Sequence, residues 1–436
     1  MAEKASPRTR LEQLLAQRHM TVDDFRARFE RLSGDSLSAR QAYRWVAGSV
    51  KGLPYPRAQG TLERIFGEPA ARLLGPPLGA GVLAASSRSA ATHRGTNSDW
   101  QGQLVALSAE RARDFLTSAE ATNVGTETVD QLADDIRRLA VAYPRQPLAS
   151  LLGEIVDTQS HAFGLLEGRQ RPEQARELYL LAGVASGLMA KASHDLGAPH
   201  DAITQARAAY TCADNAGHDG LRAWARGLQS LISYWAGRLD DAVRYAEQGS
   251  EAADRAKGTA SVWLAAGKAR ALAALGKVSE AGETIQRAQD AREQVRPDEL
   301  DGFGGMCTFN LPRQYYYAAD AMRWGGAAES ERTERLATQA IEAYEAALEA
   351  DRAFGDEAGA RCALAVARIE RGELDGAAEA MTDVLSLPTA RRIHGVVTSV
   401  DYVRQVLARA GRKANVALEL EAALLGFSSE RLAVSR

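Results

Sequence analysis

Ser38, Arg40, Gln41 and Arg44 fall within about two helical turns in the stretch SARQAYRWVAG, and they carry side chains suited to reading DNA bases. An arginine guanidinium forks onto O6 and N7 of guanine, and a glutamine amide pairs with the N6 and N7 edge of adenine. Arg44 follows Arg40 by four residues and so shares its helix face. Arg26, Arg28, Lys51 and Arg57 flank the stretch and carry the charge needed to meet phosphates around a groove. Short basic helices are also common as plain solvated surface, so the meaning of these residues depends on what holds them.

Other chemistry is poorly supported. Seven histidines are present, but none forms HExxH, and Cys212 and His218 have no second pair to complete a metal site. No GxSxG or GxxxxGK[ST] motif occurs. Asp134 and Asp135 are neighbours on a predicted helix surface, not a spaced acid–base pair. Cys212, Cys307 and Cys362 are odd in number and far apart, as buried thiols are, unlike a disulfide framework. No enzyme activity, metal or cofactor is expected.

The elements that must hold the basic stretch are short helices. Leu11, Leu14 and Leu15 have helical spacing behind Thr9. Thr21 with Asp24 forms an N-cap pattern ahead of a stripe of Val22, Phe25, Phe29 and Leu32. Ser33-Gly34-Asp35 breaks that helix. Ser38 caps the next, which turns Ala42, Trp45 and Val46 inward and stops at Gly48. KGLPYP leads to a further helix with Leu62, Ile65 and Phe66 inside. This is the size of a helix-turn-helix module, with the helix over 21–32 as support and that over 38–47 as the reader. Charge divides along the same line. Residues 1–77 hold 13 Lys and Arg against 8 Asp and Glu, whereas the remainder holds 40 against 48. A basic part attracts a polyanion that the acidic part repels.

PPLGAGVLAASSRSAATHRGTNS has no lasting period and reads as a flexible linker. Beyond it the chain repeats. Gly197, Gly237 and Gly276 stand 40 and 39 residues apart, and Gly325 and Gly372 continue the series. Ala202, Ala242, Ala281 and Ala377 follow their turn glycines by five residues. Ala190, Ser230, Ala269, Ala318 and Ala365 precede theirs by seven. Small residues at both places let two antiparallel helices approach closely, as in helical-repeat hairpins. A less regular start over 100–190, with Thr126 capping a helix of Val129, Leu132, Ile136 and Leu139, and a terminal helix pair beyond Asp401 complete the region. Positions 13, 10, 6 and 3 before the turn glycine are expected to face a concave inner surface. They bring Trp224, Tyr234, Trp263, Arg270 and Tyr315 to one side, with Arg313, Tyr316 and Tyr317 nearby. Such rings either pack repeat on repeat or wall a groove in which Arg270 meets an anion.

The stretches LEQLLAQRHMTVDDFRARFERL, LSARQAYRWVAG and PYPRAQGTLERIFG resemble the N-terminal region of actinobacterial (Streptomyces-type) transcriptional regulators. Those regulators look like distant relatives of phage-repressor-type (XRE-like) proteins with a tetratricopeptide-like (TPR-like) sensor. The resemblance continues through EATNVGTETVDQLADDIRRLA, LLEGRQRPEQARELYLLAG and AGHDGLRAWARGLQSLISYWAG. It implies that Ser38, Arg40, Gln41 and Arg44 lie on the DNA-reading helix. The turn from Ser33 to Leu37 is longer than in simple repressors. The expected fold is therefore all-α: a helix-turn-helix domain over 1–77, a linker over 78–98 and a TPR-like helical-repeat solenoid over 99–436. The expected role is a cytoplasmic homodimer on a pseudo-palindromic duplex operator, answering a small-molecule or peptide effector. No run of 18 apolar residues occurs, so no membrane span is expected. The competing expectation is a TPR scaffold for protein–protein interaction that does not bind DNA.

Overall fold

A computed structural model describes residues 7–18, 20–50, 52–77, 105, 108, 109, 111, 122–411 and 415–430. The predicted linker over 78–98 and the candidate phosphate ligand Lys51 lie outside them. The protein is all-α, with no strand among the described residues. Nor is any of their helices long and apolar enough to cross a membrane. The chain forms two compact units, Met1–Ala112 and Arg113–Arg436.

In the first unit α1 (Arg10–Gln17), α2 (Val22–Ser33), α3 (Ala39–Val46), α4 (Pro56–Phe66) and α5 (Ala70–Leu73) enclose one small core. Its limits follow local chemistry. Thr21 and Asp24 close a reciprocal capping box on α2, satisfying two backbone donors at once. Gly34 ends α2 at a φ of 73°, a left-handed conformation that a side chain resists. Thr9 caps α1 and also donates to the Val46 carbonyl at 2.6 Å, tying α1 to the end of α3. The inner stripe of α2 departs from expectation. Leu32 is exposed, and Ser33, four residues after Phe29, takes the inward position. Leu37, from the following turn, joins the same core.

The second unit is a series of helical hairpins. It runs through α6 (Thr126–Ala142), α7 (Leu148–Leu166), α8 (Pro172–Asp195), α9 (Pro199–Ala216), α10 (Asp219–Trp235), α11 (Leu239–Gln248) and α12 (Ser250–Arg255). It continues through α13 (Ala260–Ala274), α14 (Val278–Arg292), α15 (Leu311–Met322), α16 (Ser330–Ala346), α17 (Phe354–Arg371), α18 (Leu374–Leu385), α19 (His394–Ala410) and α20 (Asn415–Ser429). Gly197, Gly237, Gly276 and Gly372 all turn at positive φ, and the small residues around them are buried. Two local expectations need correction. The left-handed residue of the fourth turn is Gly326, because a 3-10 segment, Arg323–Glu329, carries the chain one residue past Gly325. The N-cap of α6 is Gly125, leaving Thr126 as the first helical residue, with no side-chain cap.

The helices α8, α10, α13, α15, α17 and α19 form an inner layer in which each packs on the next, and α19 returns to touch α8. Glycine and tryptophan set the spacing of its first steps. The Trp224 ring of α10 lies over Gly187 of α8, and the Trp263 ring of α13 lies over Gly227 of α10. A Cβ on Gly187 would overlap the Trp224 ring, whereas a Cβ on Gly267 would meet only Ser230 Oγ at 4.0 Å. Gly187→Ala should therefore destabilise the protein by about 1–3 kcal/mol through overpacking. Gly267→Ala should be neutral or stabilising by up to about 1 kcal/mol, because alanine is the better helix former. Urea unfolding of the two variants side by side checks the contrast.

Candidate functional site

The first unit presents the predicted base-reading residues on one side of α3. Ala42, Trp45 and Val46 are buried, with Trp45 edge-on to Phe29 at 5.5 Å. Ser38, Arg40, Gln41 and Arg44 are exposed. Ser38 Oγ accepts the Gln41 backbone N–H at 3.3 Å, so this hydroxyl caps the helix. The side chains of Arg40 and Gln41 have no partner among the described residues, and Arg44 makes one long contact, Nε to the Ser49 carbonyl at 3.4 Å. Tyr43, 56% exposed on the same helix, was not singled out from the sequence. A large aromatic on a basic helix is the feature that could have drawn attention to it.

The flanking arginines divide into two kinds. Arg28 is exposed without a partner among the described residues. Arg26 donates from Nε to the Leu37 carbonyl at 2.9 Å and pairs with Asp23 at 3.0 Å. Arg57 donates to the Ser33 carbonyl at 2.8 Å and lies 3.6 Å from Asp35. Glu30 accepts the Leu37 backbone N–H at 2.9 Å. The long turn between α2 and α3 is thus braced from both sides. Arg26 and Arg57 hold the fold of this turn whatever else they touch.

The second unit holds a cavity of about 80 Å³, partly open to solvent, where the inner layer closes. Of the residues expected to wall a groove, Trp263, Arg270, Arg313 and Tyr316 line it, together with Tyr317. Trp224, Tyr234 and Tyr315 are not among its lining residues. Trp224 is 1% exposed and donates from Nε1 to the Met306 carbonyl at 3.3 Å, so its ring serves as an interhelical spacer. Tyr315 is half-buried against the core. The cavity also takes Tyr143, Lys191, His194, Asp195, Trp235 and Asp356, which sequence reasoning missed. A signal was available. Lys191 and His194 stand six and three residues before Gly197, the same register that singled out Arg270 before Gly276.

The polar groups around the cavity are organised as buried and half-buried ion pairs. Lys191 Nζ lies 2.6 Å from Asp195, which also accepts from the Tyr143 hydroxyl at 2.8 Å. Arg313 pairs with Asp356 at 2.6 Å. Arg270 donates from Nε to Asp320 Oδ2 at 2.6 Å, and the same oxygen accepts from the Tyr234 hydroxyl at 3.0 Å. Arg323 Nη2 lies 2.9 Å from the other oxygen of Asp320 in an ionic contact without hydrogen-bond alignment. Four rings surround the Arg270 guanidinium: Tyr317 at 4.3 Å, Tyr234 at 4.4 Å, Trp235 at 5.1 Å and Tyr316 at 5.6 Å. Burial pushes the Asp320 carboxyl up, but the charges of Arg270 and Arg323 and the bonds from Arg270 and Tyr234 hold it below its ordinary value. Burial, reinforced by the charges of Lys191, His394 and Arg270, holds the His194 imidazole well below its ordinary value. Its ring meets that of His394 edge-on at 5.5 Å.

No group of three or more histidines, cysteines or carboxylates among the described residues is placed to hold a metal ion. All three cysteines are buried and free. Burial raises the Cys212 thiol to about 11 and the Cys362 thiol to about 12, which leaves neither activated as a nucleophile. Comparison with protein families finds no match, and comparison with curated proteins finds none either.

Two stability predictions follow from the buried charges. Asp320→Ala strands two guanidiniums in the interior and should cost about 3–5 kcal/mol in denaturant unfolding. The second concerns His194. The unfolded chain protonates near pH 6.5 while the native ring resists the proton, so stability present above about 6.5 falls as the pH drops below it. His194→Gln should flatten urea midpoints measured from about pH 6.5 down to about 5, before loss of the Asp320 carboxylate sets in at lower pH.

Proposed function

We propose that the protein is a sequence-specific DNA-binding transcriptional regulator. In this reading the first unit is a helix-turn-helix domain that docks α3 in the major groove. The second is a TPR-like sensor for a small molecule or peptide. The observation that carries the reading is the division of α3 into two sides. One side is locked into the core by Ala42, Trp45 and Val46, and the other offers Arg40, Gln41 and Arg44 to a partner. A braced turn ahead of it, held by Arg26, Glu30 and Arg57, supports a helix presented at a fixed angle. The basic excess of residues 1–77 and the resemblance to actinobacterial regulators point the same way. A single helix of this length covers half a site, so a homodimer on a two-fold operator is part of the proposal.

Genomic fragments captured by the purified protein test the reading: enrichment of fragments sharing one palindrome supports it. On such a fragment Arg40→Ala and Arg44→Ala should each weaken binding by about 1–3 kcal/mol and relax preference at particular base pairs. Arg28→Ala should weaken all sequences alike and reduce the salt slope by about 1. No enrichment, or unchanged affinity in the Arg40→Ala/Arg44→Ala double variant, would overturn DNA reading by α3 and leave the interaction scaffold as the better account.

A further inference from the structure

One cluster of buried charges beside the cavity is locally unbalanced. Lys191 is paired with Asp195 and Arg313 with Asp356, whereas the two buried guanidiniums of Arg270 and Arg323 share one carboxylate, Asp320. Arg270 lines the cavity and is 2% exposed, yet its Nη2 has no hydrogen-bond partner among the described residues. A buried guanidinium nitrogen left without an acceptor is costly, and an oxyanion is the acceptor that would also cancel the excess charge.

We propose that the cavity binds a small organic anion, a compact aromatic or branched aliphatic carboxylate. Its charged oxygens meet Arg270, and its apolar body lies against Trp235, Trp263, Tyr316 and Phe354. The inference rests on the sensing role proposed for this unit, and it narrows the ligand of that site from small molecule or peptide to one class. Size favours a compact ligand over a peptide. A water needs about 10–15 Å³ of such space, so the cavity holds the equivalent of roughly five to eight waters, too little for several residues of chain. A cation is disfavoured. Three of the lining rings that could receive one, Trp235, Tyr316 and Tyr317, already face the Arg270 guanidinium. The apolar share of the wall, with Leu231, Met306, Ile393 and Val396, disfavours a bare inorganic dianion, whose several oxygens each demand donors.

The test uses the full chain with benzoate, phenylacetate and 4-methylpentanoate, against benzamide, phenylacetamide, 4-methylpentanamide and benzylamine as shape-matched neutral and cationic controls. At least one carboxylate should raise the melting temperature and change tryptophan fluorescence saturably, binding at least about tenfold more tightly than its amide, as expected for a hydrogen bond to a charged group. Arg270→Gln should remove that preference. Amides or amines that bind as well as the acids would overturn the proposal, and so would failure of all three acids to bind at millimolar concentration. This comparison reads the wild-type protein and holds even if Arg270→Gln does not fold. A gel shift with and without the bound acid separates the two readings. Carboxylate binding without any change in DNA affinity keeps the site and overturns the sensor, whereas a protein that binds DNA but none of the acids loses the site alone.

Discussion

The interior of the second unit depends on one carboxylate. Asp320 is fully buried, and it is the counter-charge for both Arg270 and Arg323. Through Tyr234, which donates to Asp320 and accepts from Trp324 Nε1 at 3.1 Å, the same charge reaches the residues around the fourth turn. Helices α10, α13 and α15 therefore meet at a single electrostatic point. An ion pair of this kind is weak evidence for net stability, because desolvation opposes attraction. Its force is in specification. Any register of these helices that separated the partners would leave a bare charge in an apolar interior, so competing packings are penalised heavily.

Shape supplies the second constraint. Trp224 over Gly187 and Trp263 over Gly227 lock successive inner helices by complementary volume. Tyr316 over Gly359 repeats the device between α15 and α17. In each case a missing side chain on one helix makes room for a ring on its neighbour, which brings the backbones close without a void. The cavity lies where such interlocking stops and paired charges take over. Both of its wall types, aromatic and ionic, are by-products of the devices that build the layer.

Much of the local structure was legible in the sequence because its causes are local. Thr21 with Asp24, Ser38 ahead of Gln41 and glycines at positive φ announce themselves within a few residues. Ala202 and Ala190 declare a close helix pair through size and spacing alone. What could not be read depends on distance along the chain. Arg270 and Asp320 are 50 residues apart, and nothing near either one names its partner. The contact of α19 with α8 has no local trace at all, yet it narrows an expected groove to a small, partly open cavity. Trp224 shows the limit from the other side. Its register points to a concave surface, but the ring packs into the neighbouring helix over Gly187 and not toward solvent. Leu32 misled for a simpler reason: one extra residue of helix turns the stripe, and a serine serves the core where a leucine was expected.

The return of α19 to α8 has a kinetic consequence. His194 and His394 meet across this seam, Arg391 donates to the Arg145 carbonyl at 3.3 Å, and the Phe354 backbone N–H bonds the Pro144 carbonyl at 3.2 Å. These contacts join segments some 200 residues apart by a few polar bonds, whereas every other step of the layer is a continuous helix-on-helix surface. The seam is the least costly place for the ring to part. Opening there frees part of the cavity wall without unpacking any other helix pair, so amide exchange around the start of α19 should run ahead of global unfolding.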